Sequence, residues 1–196
     1  MCDFNRLSGF LISAQAIYLG MLVTLGIAIF NSGSFWLVAL NIPLMIGLIA
    51  ACGIATGLAA AALNEANICK NSQCGAAASD LSSWLTAFVA NLGILTGLLI
   101  GASAAALIPG VGALVLAGVL GYAVALGIGL SPVIESGVAA AVGAFNTCQQ
   151  QHNASSSTAA ATTVTILTGL TYAAAAFVLG GAGLAGGWKS WAFSHA

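Results

Sequence analysis

The chain has 196 residues, 60% of them hydrophobic and 4% charged, with a formal net charge of -1 and a mean hydropathy of +1.07. A water-soluble domain carries about a quarter charged residues, so the composition excludes a soluble globular protein. The near-zero charge leaves no basic surface for nucleic acid and no polybasic patch for anionic lipid.

A membrane-spanning helix needs about 20 apolar residues, and five stretches reach that length. The first covers residues 7–30. It is longer than the core of a signal peptide and lacks a clean cleavage site, so a retained helix is expected. Asn31-Ser32-Gly33-Ser34 ends it, and the second stretch covers 35–63 with Pro43 near its start. A polar segment, 64–80, leads to the third stretch, 81–107. Ile108-Pro109-Gly110 marks a tight turn into the fourth, 111–145, where Ser131-Pro132 predicts a kink. As one helix this stretch would reach roughly 50 Å, so tilt or projection beyond the hydrocarbon is expected. A second polar segment, 146–158, precedes the fifth stretch, 159–188. With 25 Gly and only 3 Pro, such stretches belong to close-packed helices. A β-barrel would instead alternate in polarity over strands of about 10 residues. The fold class is all-α: a polytopic integral membrane helix bundle, with 1–196 forming a single transmembrane domain.

Five crossings put the N-terminus and both polar segments on one side and the C-terminus on the other. Trp84 then falls near the first side, and Trp36, Trp188 and Trp191 near the second, as an aromatic belt requires. With Arg6 and Lys70 on one side and Lys189 on the other, the positive-inside rule does not choose an orientation.

Small residues recur at four-residue spacing. Gly93, Gly97, Gly101 and Ala105 form one row, and Ala113, Ala117, Gly121, Ala125 and Gly129 another. Shorter rows are Gly53, Gly57 and Ala61 in the second stretch and Ala16, Gly20, Thr24 and Ala28 in the first. The fifth is less regular, with Gly169 and Ala173, then Ala182 and Gly186. Residues four apart share a helical face. In lipid, helices associate by close backbone approach rather than by hiding apolar surface. The rows are therefore expected to be packing faces, within the bundle or toward other subunits.

Three residues, one in each of three stretches, stand out as polar outliers. Gln15 and Asn91 are expected at one depth, where they would hydrogen-bond as interhelical glue. Glu135 is the only carboxylate inside a long apolar stretch, which marks it for function. Counting from the Pro109 turn places it near the membrane boundary, as a solvated or hydrogen-bonded interfacial acid.

Cys52 falls inside the second stretch, as a small core residue. Cys2, Cys69, Cys74 and Cys148 fall on one side of the predicted topology. An even set on one side suits disulfides, and would make that side, with the loops 64–80 and 146–158, periplasmic or extracellular. A Cys69–Cys148 or Cys74–Cys148 bridge would pin the two polar segments together, whereas Cys69–Cys74 would close a local loop. Zinc is the competitor, with His152 as an extra ligand, but the paired spacing of zinc sites is missing. Asn153-Ala154-Ser155 matches the N-glycosylation pattern.

There is no Walker loop, dinucleotide fingerprint or HExxH, and no Ser-His-Asp set. No catalytic residue, metal or cofactor is therefore expected. The expectation is a non-enzymatic structural or accessory subunit of a larger membrane assembly. Its partners would be membrane lipid and other membrane subunits or copies of itself. The alternative is a small homo-oligomeric pore or transporter lined by Gln15, Asn91 and Glu135.

Overall fold

The computed structural model describes residues 2–33 and 35–194, except the side chains of Trp36, Val111, Ala113, Leu114, Ala117 and 182–194. The described residues form helices α1 (Phe4–Ser32), α2 (Phe35–Ala39), α3 (Ile42–Cys69), α4 (Gly75–Ala106), α5 (Val111–Gln151) and α6 (Thr158–Ser194). Five of these are long and apolar enough to cross a membrane, α5 through Gly118–Gln151 and α6 through Thr158–Gly181.

The ends of the helices follow local chemistry. The Asp3 carboxylate accepts from the Asn5 and Arg6 N–H groups, satisfying donors that the first turn leaves open. Gly33 closes α1 in the left-handed conformation, φ 70°, with its N–H on the Ile29 carbonyl, a position that favours glycine. Gly110, at φ 117°, makes the turn into α5. The second apolar stretch is not one helix. It breaks after α2, and Asn41 recaps the chain by accepting from the Leu44 N–H, with Pro43 in the first turn of α3. Proline fits the first turn, where its missing N–H leaves no bond unmade, and not a helix interior.

The polar segments are also shorter than their composition implies. α3 runs to Cys69, α4 begins at Gly75 and α5 continues to Gln151, so much of 64–80 and 146–158 is helix beyond the apolar spans. α5 passes through Pro132 without interruption.

The five long helices form a closed ring. α1 packs against α3 and α6, and α4 against α3 and α5, while α5 and α6 complete the circle. α2 lies at one end, touching α1, α3, α4 and α5, with Val38 and Ala39 buried. Side chains fill the interior. Tyr18 and Phe88 meet edge to face at 6.5 Å between centroids, and Phe4 meets Phe145 at 5.9 Å. All four are fully buried. α1 and α5 therefore run antiparallel, with Phe4 opposite Phe145 at one end and Gln15 opposite Glu135 further in.

Candidate functional site

Two features stand apart from the apolar packing: a cross-linked collar at one end of the ring and a polar layer inside it.

The collar contains two disulfides. Cys2 pairs with Cys69, Cα–Cα 4.8 Å, and Cys74 with Cys148, Cα–Cα 5.9 Å. The first ties α1 to the end of α3, and the second ties the start of α4 to the last turns of α5. Residues 70–74 join α3 to α4, and residues 152–157 join α5 to α6. The remaining gap, between α6 and α1, is closed by hydrogen bonds. The Ser155 hydroxyl donates to Asp3 Oδ1 at 3.3 Å and accepts from Asn5 Nδ2 at 3.2 Å. Gln149 Nε2 donates to Cys2 Sγ at 3.2 Å, linking the neighbourhoods of the two bridges. Every neighbouring pair of long helices is thus joined at this end. Beside the collar, Arg6 Nε pairs with Glu65 Oε1 at 3.2 Å, and its guanidinium lies 5.8 Å from the centre of the Phe10 ring.

All four loop cysteines are therefore at one end, as the crossing count requires. The observed pairing includes Cys74–Cys148, one of the expected bridges between the polar segments. The other expected pairings, Cys69–Cys148 and Cys69–Cys74, are replaced by Cys2–Cys69. Disulfides persist in oxidising compartments, so this end faces an oxidising side. The ligand atoms of Cys74, Cys148 and His152 lie within 4.8 Å of one another, but the two sulfurs are bonded to each other and present no thiolate to a metal. Cys52 is fully buried, with Sγ 3.6 Å from the Leu92 carbonyl. Asn153 is exposed in a turn at φ 51°.

The polar layer crosses the ring from α1 through α5 to α4 and α6. Gln15 Nε2 donates to Glu135 Oε2 at 3.1 Å and to the Thr168 hydroxyl at 3.2 Å. Thr168 in turn donates to the Val164 carbonyl at 3.0 Å. One turn along α5, the Ser131 hydroxyl meets Tyr18 Oη at 2.6 Å and accepts from Asn91 Nδ2 at 2.7 Å. Asn91 also donates to the Gly127 carbonyl at 3.3 Å. Gln15, Ser131, Glu135 and Thr171 are all fully buried.

Two expectations change here. Gln15 and Asn91 do not bond each other. Each reaches α5, on successive turns, at Glu135 and Ser131. Of the two expected states of Glu135, the hydrogen-bonded one is found and the solvated one is not: it is 0% exposed and accepts from Gln15. It faces Gln15, which lies about 16 Å past Phe4 at 1.5 Å per residue. α5 continues past Glu135 to Gln151. In the sequence only the isolated polar residues stand out, and their partners Tyr18, Ser131, Thr168 and Thr171 do not. The available signal was spacing: Gln15 with Tyr18, Ser131 with Glu135, and Thr168 with Thr171 fall three or four apart, on one face each.

The small-residue rows divide between two environments. Gly101 contacts Leu120, Gly121 contacts Phe35 and Gly129 contacts Leu179, while Ala105 is buried and Ala125 half-buried. These positions face the bundle. Gly93 and Gly97 are exposed, and a Cβ built on either meets nothing within 4 Å. The same open space surrounds Gly20, Gly53, Gly57 and Gly169. The side chains of Ala113, Ala117 and Ala182 lie outside the described residues, as do the surroundings of Gly186 and the side chains of Trp36, Trp188 and Trp191. Trp84 packs against α5 at Gly137.

Comparison with known protein families, with curated proteins and with solved structures found no match.

Proposed function

We propose that this chain is a non-enzymatic structural or accessory subunit of a larger integral membrane assembly. Outward-facing glycine carries this reading. Glycine in a helix costs about 1 kcal/mol relative to alanine. Facing lipid, it returns nothing, because lipid tails do not demand close approach. Gly93 and Gly97 on α4, Gly53 and Gly57 on α3, and Gly20 on α1 are exposed with open space where a Cβ would stand. A partner helix lying against such a row would gain the backbone contact that glycine permits. Between α1 and α3 an open groove of about 380 Å³ has Gly20 and Thr24 on one wall and Gly47 and Ala51 on the other, wide enough at its walls for apolar side chains of a neighbour. The collar end would face the periplasm or the cell exterior, where disulfides persist, and present a braced surface to a partner's outer region.

The pore reading has less support. Tyr18, Phe88 and Leu92 are fully buried inside the ring, so a path would have to run between copies rather than through one. The polar layer faces inward, away from such a path.

The experiment is purification from native membranes in mild detergent, comparing wild type with Gly93→Leu/Gly97→Leu. Under the subunit reading the wild type migrates with other chains. The double variant keeps its helical content and its disulfides but loses those chains. A wild type that purifies as a stable monomer would end this reading. A homo-oligomer of this chain alone, with ion flux in liposomes, would move the assignment to the pore.

A further inference from the structure

We infer that the interior of the bundle holds one bound proton, on Glu135, shared with Gln15 as a closed acid–amide pair. Gln15 spends both amide hydrogens, on Glu135 Oε2 and on Thr168. Thr168 spends its hydroxyl hydrogen on the Val164 carbonyl, and Thr171, whose hydroxyl lies beside the Glu135 carboxyl, donates to the Leu167 carbonyl at 3.0 Å. On the next turn Ser131 donates to the Gly127 carbonyl at 3.1 Å, and so accepts from Tyr18 and Asn91. Two buried side-chain oxygens are left without partners, Gln15 Oε1 and Glu135 Oε1.

These two oxygens belong to the two residues already joined by one hydrogen bond. A carboxylic acid and a primary amide have complementary edges: the amide N–H meets the carbonyl oxygen of the acid, and the acid O–H meets the amide oxygen. A proton on Glu135 Oε1 turns an orphaned acceptor into a donor, and Gln15 Oε1 is the orphaned acceptor on the residue Glu135 already bonds. One proton, taken from water as the bundle assembles, satisfies both atoms and removes the charge. An ionised carboxylate here would lie in a membrane interior with no cationic partner among the described residues, a costly arrangement. A metal cation fits less well, because hard cations take about six or more oxygens and only two are free. The titratable groups facing this region are Tyr18 from α1 and Cys52 from α3. α4 and α6 contribute only the uncharged Asn91, Thr168 and Thr171. The Arg6–Glu65 pair lies toward the collar.

The test uses the full chain in lipid with glutamate labelled by ¹³C at the side-chain carboxyl. The sequence contains only Glu65 and Glu135, so solid-state NMR at neutral pH reads two signals. The expected spectrum has one ionised carboxylate, from Glu65 beside Arg6, and one protonated acid that disappears in Glu135→Gln. Two carboxylate signals would overturn the proposal. Gln15→Leu tests the pairing separately: the acid signal of Glu135 should shift when its amide partner is gone, and an unmoved signal would show that the two edges do not meet. If Glu135→Gln does not fold, assignment through Glu65→Gln gives the same reading. Loss of the proton would leave the subunit reading intact, because the outward glycine rows do not involve this pair.

Discussion

Gln15 on α1 and Glu135 on α5, 120 residues apart in the chain, are joined by a 3.1 Å hydrogen bond inside the ring. The bond connects helices on opposite sides of the packing circle, since α1 has α3 and α6 as its ring neighbours. It therefore helps fix the diameter of the bundle, whereas disulfides and loops fix its circumference at one end.

The strength of that cross-tie is measurable. Hydrogen bonds between membrane helices contribute about 0.6 kcal/mol on average and up to about 1.7. A double-mutant cycle with Gln15→Leu and Glu135→Leu should give a coupling in the upper part of that range, because the pair is fully buried. The measurement is reversible unfolding in mixed micelles. A coupling near zero would mean that each residue is satisfied equally well without the other.

Glycines on the two faces should respond oppositely. A Cβ at Gly137 would fall on the Trp84 indole, so Gly137→Ala should destabilise the chain by about 1–3 kcal/mol, the usual cost of overpacking, and alter Trp84 fluorescence. Gly97→Ala meets open space and should be neutral or stabilising by up to about 1 kcal/mol in the isolated chain. Equal effects at the two sites would contradict the placement of their faces.

Reduction should loosen the collar. In the chain-entropy account, loops of this size (sequence separations of 67 and 74) are each worth about 4 kcal/mol. Helices held in a bilayer have less freedom to lose, so about 1–3 kcal/mol per bridge is expected for Cys2→Ser/Cys69→Ser and for Cys74→Ser/Cys148→Ser. Thermal unfolding in detergent, with and without reductant, reads the difference. Wild type under reductant should approach the quadruple variant.

Trypsin tests the connectivity. Lys70 is exposed between Cys69 and Cys74. With the observed pairing, cleavage after Lys70 separates the chain into two pieces on a denaturing, non-reducing gel, because no bridge spans that bond. Either other pairing of these cysteines would hold the pieces together until reductant is added.

The helical membrane class was legible because composition alone forbids a water-facing surface, and the spans followed from apolar length. The break at Leu40–Asn41 was not, because all of 35–63 apart from Asn41 reads as apolar and a break there depends on how Asn41 and Pro43 cap a new helix. The helical extension of the polar segments was hidden for a related reason: residues such as Glu65 and Asn146 look like loop in hydropathy, yet they continue a helix past the apolar stretch. In the site, Gln15, Asn91 and Glu135 were visible as polar outliers. Which of them meet was not, because that depends on how five helices are rotated in the ring. The cysteines were legible as a one-sided set, while their pairing depended on the order of helices around the circle. The glycine rows were visible as faces, and only packing could sort inward from outward.

The two bridges enclose consecutive stretches of chain, 2–69 and then 74–148, and neither encloses the other. The first loop can therefore be sealed as soon as Cys69 emerges, while α4 to α6 are still to be made. Each bridge can therefore form or be reduced without threading through the other, and the oxidised chain consists of two consecutive covalent loops joined by residues 70–73.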